Sequence, residues 1–238
     1  GIHSQAITTA PVLVRHPTRK GYLVIFGTGQ YFENGHKTPE TNHPYTLYGI
    51  WDEKTKAEST GVDTITVDNL QKQTITSSIL GHNQVSGLER EARVISNTAV
   101  EWYKDYDSSK ERVKRGWSLN FKAGSGLDGE MVIADPKTLG AMVLISTLVP
   151  NDDPCANGSS NWTYAINPAT GGRTTHHAFD TRGADGSIVS AIRFGTEGGV
   201  SITQDETGFG ILDPSGKEGL YPPPSSLGRQ SWRMIQNP

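Results

Sequence analysis

The sequence predicts an all-β fold, on three observations. Glycine (27) and proline (13) are frequent among the 238 residues while only 34% are hydrophobic, which suits many short strands and turns better than helices. The longest apolar run, "AMVLISTLV" from Ala141 to Val149, has the length of a strand. A two-strand pattern also occurs twice.

The first copy of that pattern is "APVLVRHPTRKGYLVIFGT", Ala10 to Thr28, and the second is "GEMVIADPKTLGAMVLIST", Gly129 to Thr147. Pro17 and Pro136, Gly21 and Gly140, and Thr28 and Thr147 all correspond at a spacing of 119 residues. Each copy reads as a short apolar strand, a Pro-bearing turn closed by Gly, and a longer apolar strand. This is an antiparallel hairpin with glycine where positive φ is needed.

A third strand follows in both copies, "YTLYGIWDEKT" (Tyr45 to Thr55) and "NWTYAINPATGG" (Asn161 to Gly172), and "GWSLNFKAGSG" (Gly116 to Gly126) repeats its shape between them. An Asp or Asn closing such a strand leads into an Asx turn, its side chain bonding the backbone two residues on. Antiparallel sheets recurring in this way predict a β-propeller of the quinoprotein-like kind, with a β-sandwich as the alternative. The segment from Val62 to Arg115 is long and polar. It is partly helix-like in "VDNLQKQTI" and the charge-mixed "EWYKDYDSSKERVKR". It reads as an insertion over 62–115, leaving about three blades, a partial set.

The stretch "GYLVIFGTGQYFENG" invites a phosphate-cradle reading, which its spacing excludes. After Gly27 and Gly29 the position of the third fingerprint glycine holds Phe32, no helical pattern follows, and the Lys-Ser/Thr of a P-loop is missing. Gly27-Thr28-Gly29 reads as a strand-end turn. The net charge of -3 gives no global basic field for nucleic acid or anionic lipid. No apolar run approaches the roughly 18 residues of a membrane span. The start, "GIHSQAITTAP", has neither an initiator Met nor a signal peptide, and is expected to be the interior of a longer chain. The single cysteine, Cys155, cannot form an internal disulfide.

Six further stretches bear on function when taken in order: "ITTAPVLVRHPTRKGYLVIFGTGQYFE", "YGIWDE", "GWSLNF", "STLVPNDDPCANGSSNWTYAINPATGGR", "FDTRGADG" and "GRQSWRMI". Together they resemble the C-terminal β-propeller of PilC/PilY-type type IV pilus tip-associated adhesins. The collinear likeness runs from about Ala6 to Ile235, so residues 6–235 are expected to form the C-terminal part of one propeller domain. The resemblance implies a non-catalytic, secreted, surface-exposed protein at the pilus tip that supports assembly, controls retraction and mediates attachment. Its implied partners are minor pilins, an outside surface receptor and the remainder of its own longer chain.

Some members of that family bind calcium through an Asp-x-Asp-x-Asn-Gly type loop. The nearest counterpart is "DTRGADGS", which offers Asp180 and Asp185 as candidate calcium ligands but places Arg182 where a third oxygen ligand belongs. "PNDDPCANG" is a second acidic loop. Adjacent residues on a strand face opposite ways, so His176 and His177 are not expected to share a metal. Of the five tryptophans, Trp51, Trp117, Trp162 and Trp232 lie in strand-like segments and are assigned to packing. Trp102 is the candidate for an exposed partner contact. No Gly-x-Ser-x-Gly elbow or paired carboxylates mark a catalytic centre. Two alternatives remain: a quinoprotein-like periplasmic dehydrogenase, which one cysteine and an incomplete ring disfavour, and a structural subunit of an extracellular filament.

Overall fold

The computed structural model describes residues 5–31, 42–53, 64–104, 111–151, 160–194, 201–206, 208–213 and 216–222. It is all-β. In chain order the first strands are β1 (Val12–Arg15), β2 (Tyr22–Gly27), β3 (Thr46–Asp52), β4 (Leu70–Asn83), β5 (Glu89–Ile95) and β6 (Gly116–Ala123). Next come β7 (Met131–Val132), β8 (Lys137–Leu139), β9 (Met142–Val149), β10 (Ser160–Ile166), β11 (Thr181–Gly183) and β12 (Ala191–Phe194). A separate three-stranded sheet is made of β13 (Ile202–Asp205), β14 (Gly208–Asp213) and β15 (Gly216–Leu220).

The main sheet runs β1-β2-β3-β6-β4-β5-β12-β10-β9-β7, with β11 on β4 and β8 on β9. Within this path lie two antiparallel four-stranded units, β1-β2-β3-β6 and β7-β9-β10-β12. They are the two copies of the repeat, each in the order short strand, long strand, third strand and a later fourth strand. The repeated glycines Gly21 and Gly140 both have positive φ, 68° and 59°. The registers differ, however. Val12 faces Ile25 in the first copy, whereas Met131 faces Leu148 in the second, where β8 closes a tight turn onto β9.

Strands β4 and β5 come from the 62–115 segment and bridge the fourth strands of the two copies, β4 running parallel to β6 and β5 antiparallel to β12. The helix-like reading of "VDNLQKQTI" is corrected here. Only Val67–Asn69 form a 3-10 turn, after which the chain enters β4. The β-branched residues Thr74, Ile75, Thr76 and Ile79 suit the pleated surface, and pairing on both edges overrides any helical tendency.

The sheet almost closes on itself. Thr28, just past β2, accepts the Val132 N–H of β7 at 3.0 Å, and Asp135 accepts the Ala10 N–H at 2.8 Å. A Cβ on Gly27 would lie 2.2 Å from the Val132 side chain, and one on Gly29 would lie 2.6 Å from the Val132 carbonyl oxygen. The Gly-Thr-Gly stretch is glycine-bearing because a second strand passes against it, which goes beyond the expected turn.

One apolar cluster joins the copies: Leu23, Ile25, Trp51 and Trp117 from the first, Val143, Ile145, Tyr164 and Ile166 from the second. A second cluster holds Met142, Leu144, Ile192 and Phe194 against Ile211 and Leu220 of the small sheet. Strand β9 therefore feeds both clusters with alternate residues, and its unbroken apolar run follows from cover on both faces. Trp51, Trp117 and Trp162 are buried, as packing residues should be. The Asx turn appears at Asn167, which accepts the Ala169 N–H at 2.9 Å. Asn120 instead stays inside β6 and accepts the Thr46 hydroxyl. Among the described residues no helix is long and apolar enough to cross a membrane.

Candidate functional site

Buried polar clusters stand at a hairpin turn and where sheets meet, and three among the described residues bear on the site. The first surrounds Glu130, which directly precedes β7. Arg93 of β5 donates to one Glu130 carboxylate oxygen and, at 2.5 Å, to the Tyr164 hydroxyl. The other Glu130 oxygen accepts the hydroxyls of Thr147 (2.6 Å) and Tyr164 (2.9 Å). The Arg93 guanidinium lies 3.8 Å from the centre of the Trp162 ring. Burial opposes the charge of Arg93, but Tyr164 and Glu130 outweigh it and push its pKa up. Burial, then the Glu130 charge, pushes the Tyr164 hydroxyl well up, so it remains a neutral donor. Both Glu130 oxygens are filled by protein donors, an arrangement that fixes β5, β9 and β10 together.

The second cluster lies at the turn of the first hairpin. His16 is buried, stacked on Trp51 at 4.1 Å with 11° between the planes, and meets the edge of Trp102 at 4.2 Å. Its Nδ1 accepts the Thr18 N–H at 3.2 Å. Burial lowers its pKa from 6.5 to about 4, so the ring is neutral at physiological pH. Trp51 donates through Nε1 to the Lys20 carbonyl at 2.8 Å.

The third cluster fixes the small sheet. Glu218 of β15 is fully buried and accepts the Asn83 side-chain amide (2.8 Å), the Thr181 N–H (2.8 Å) and the Thr181 hydroxyl (3.0 Å). Arg90 approaches it at 3.5 Å. Burial raises the Glu218 pKa, while the bonds from Thr181 and Asn83 and the charge of Arg90 work against that rise.

The predicted calcium pair falls beside this third cluster. Asp180 accepts the Gly219 N–H at 2.9 Å and the Tyr221 hydroxyl at 2.7 Å. Asp185 is exposed on the turn after β11 and accepts the Ser187 N–H at 2.9 Å; hydrogen bonds from Ser187 lower its pKa. Among the described residues no three His, Cys, Asp or Glu side chains gather as a metal site. Trp102 is half-buried, set at 5.6 Å edge-on to Trp51. His176 bonds the Tyr221 carbonyl oxygen at 2.8 Å. Cys155, Asp152, Asp153 and Trp232 lie outside the described residues.

Sequence reasoning missed Glu130, Arg93, His16 and Glu218. A faint signal exists for two of them. Arg93 interrupts the apolar end of "EREARVI", and Glu130 abuts the apolar start of β7.

A family model described as the PilY1 beta-propeller domain matches residues 1–80. The "Type IV pilus biogenesis factor PilY1" of Pseudomonas aeruginosa strain PAO1 is 42% identical over 249 aligned residues, covering 98% of this chain and 21% of that protein. A homologue of that factor in Xylella fastidiosa strain Temecula1 is 28% identical over 71% of this chain and 10% of its own length. The chain thus spans about a fifth of the length of the Pseudomonas relative. The crystal structure of the Pseudomonas aeruginosa PilY1 C-terminal domain superposes with a TM-score of 0.78 at 37% identity, covering 93% of this chain and 46% of that one.

Proposed function

This chain carries the C-terminal β-propeller region of the PilC/PilY type, and we propose that it serves type IV pilus assembly as a non-catalytic module. The observation that carries this reading is the 42% identity to a pilus biogenesis factor, spread over 98% of the chain rather than confined to one motif. The carboxylates of Glu130 and Glu218, the two most deeply buried among the described residues, are both engaged by protein donors that hold strands together. That use suits a scaffold. In the fuller form of the reading, the module sits outside the cell at the pilus tip. There it docks on minor pilins, restrains retraction and contributes to surface attachment.

Deletion of the gene in its source cell, scored by counting surface pili and by immunogold labelling of sheared filaments, tests both levels. The expected result is a loss of most surface pili, restored by complementation, with gold confined to filament ends in the complemented strain. Normal piliation without the protein overturns the assembly role. Gold along the shafts overturns the tip placement and favours a repeating structural subunit.

A further inference from the structure

We propose that the outward face of the strands β2, β3, β6 and β4 binds an oligosaccharide of uronic acids. The inference goes beyond the pilus-assembly reading and rests on the face alone.

Alternation along the strands divides the first copy cleanly. Leu23, Ile25, Leu47, Trp51, Trp117 and Leu119 point into the core. The register then aligns their outward neighbours into one row across four strands: Phe26 beside Tyr48, Tyr48 beside Ser118, and Ser118 beside Lys72. Phe26 and Tyr48 are half-buried with ring centres 5.6 Å apart and a 33° tilt, a continuous aromatic platform at one end of the row. At the other end Lys122, outward from β6, joins Lys72.

Two clefts open on this face. One of about 470 Å³ is lined by Phe26, Tyr48 and the exposed Asn120, over the buried Thr28 and Thr46, whose hydroxyls bond Gln5, Asn120 and backbone carbonyls. The other, about 300 Å³, includes Lys72, Lys122 and Ser118. They share Val67 and Asn120, so they form one groove from rings to lysines. A break in register opens the lysine end. Gln73 pairs with Leu119 but Ile75 pairs with Ala123, so β6 spans four residues where β4 spans two and the strands part.

The chemistry selects the ligand. Among the described residues no carboxylate lines either cleft and neither Lys72 nor Lys122 pairs with an acid, so the groove asks for negative charge. Aromatic faces beside the exposed Asn120 amide suit a sugar ring, whose apolar face packs on the rings while a ring hydroxyl accepts from the Asn120 side-chain NH2. Strands β3 and β6 are paired on both edges, so no free edge is offered for an added peptide strand. A face with two unpaired lysines also makes a poor dry seat for another protein sheet. An oligosaccharide with one carboxylate per ring meets all of these features.

Titration calorimetry of the whole chain with tetragalacturonate at low salt tests the proposal. Binding is expected, weakening with added salt. Affinity should fall at least tenfold in the double variant Lys72→Gln, Lys122→Gln and at least fivefold in Tyr48→Ala. The fully methyl-esterified tetramer should bind at least tenfold more weakly than the acid. Because both lysines are exposed, the double variant should keep the wild-type denaturation midpoint, which separates lost binding from lost fold. No heat of binding at millimolar ligand overturns the proposal, as does binding indifferent to the lysine pair. Equal affinity for a tetraglutamate peptide also overturns it and turns the groove into an acidic-peptide site. None of these results depends on piliation, so the two readings fail separately.

Discussion

The two repeat copies share a hairpin plan but seal their interiors by opposite chemistry. In the first copy a neutral imidazole, His16, is stacked between Trp51 and the edge of Trp102 at the hairpin turn. In the second a full ion pair, Arg93 with Glu130, is buried with Tyr164, Thr147 and Trp162. The difference teaches that the repeat specifies backbone path, while the way each interior is closed depends on what packs against it. The first copy's turn is covered by aromatic side chains. The second lies against β5, which brings a guanidinium from the bridging hairpin.

That contrast can be broken most strongly at Glu130. Glu130→Ala leaves the buried Arg93 guanidinium with only the exposed Asp128, at 3.8 Å, as a carboxylate partner, and should cost about 3–5 kcal/mol, read as a lowered urea midpoint. The double variant Glu130→Leu, Arg93→Met removes both charges and should recover most of that loss. A double variant no more stable than Glu130→Ala would show that the pair itself, beyond its satisfaction, holds the second copy.

The first copy is addressed by pH. The folded pKa of His16, about 4, lies below its unfolded value of 6.5. The unfolded chain therefore binds the proton more readily, and stability rises with pH across that interval. Acidification from pH 6.5 to pH 4 should lower the denaturation midpoint of the wild type more than that of His16→Phe. Above about pH 6.5 this contribution is flat. Parallel curves for the two proteins would show that His16 is not the group responding.

The smallest effect sharpens the second copy. Tyr164→Phe removes a hydroxyl that donates to Glu130 and accepts from Arg93, and should cost about 1–2 kcal/mol without changing the pH response set by His16.

The hairpins and their glycines were legible because they are local: Pro17 with Gly21 and Pro136 with Gly140 encode turns within a few residues. The bridging pair β4–β5 was not, since "VDNLQKQTI" has mixed periodicity and becomes a strand only when β6 supplies an edge. Glu130 and Arg93 were hidden for a similar reason. They lie 37 residues apart, and in a chain with 25 acidic and 22 basic side chains no local cue pairs these two. The aligned row from Phe26 to Lys72 depends on the registers of three strand pairs, which sequence alternation leaves open.

The insertion of β6 between β3 and β4 also has a consequence for how the chain is made. Strands β3, β4 and β5 are synthesised before β6, so one edge of β3 stays unsatisfied until residues 116–123 emerge. An open edge of that kind invites pairing with a neighbouring chain, and closing it late across a long separation is slow. The nascent polypeptide thus passes through a stage at which its first sheet is incomplete, and that stage is where escort by a chaperone has the most to protect.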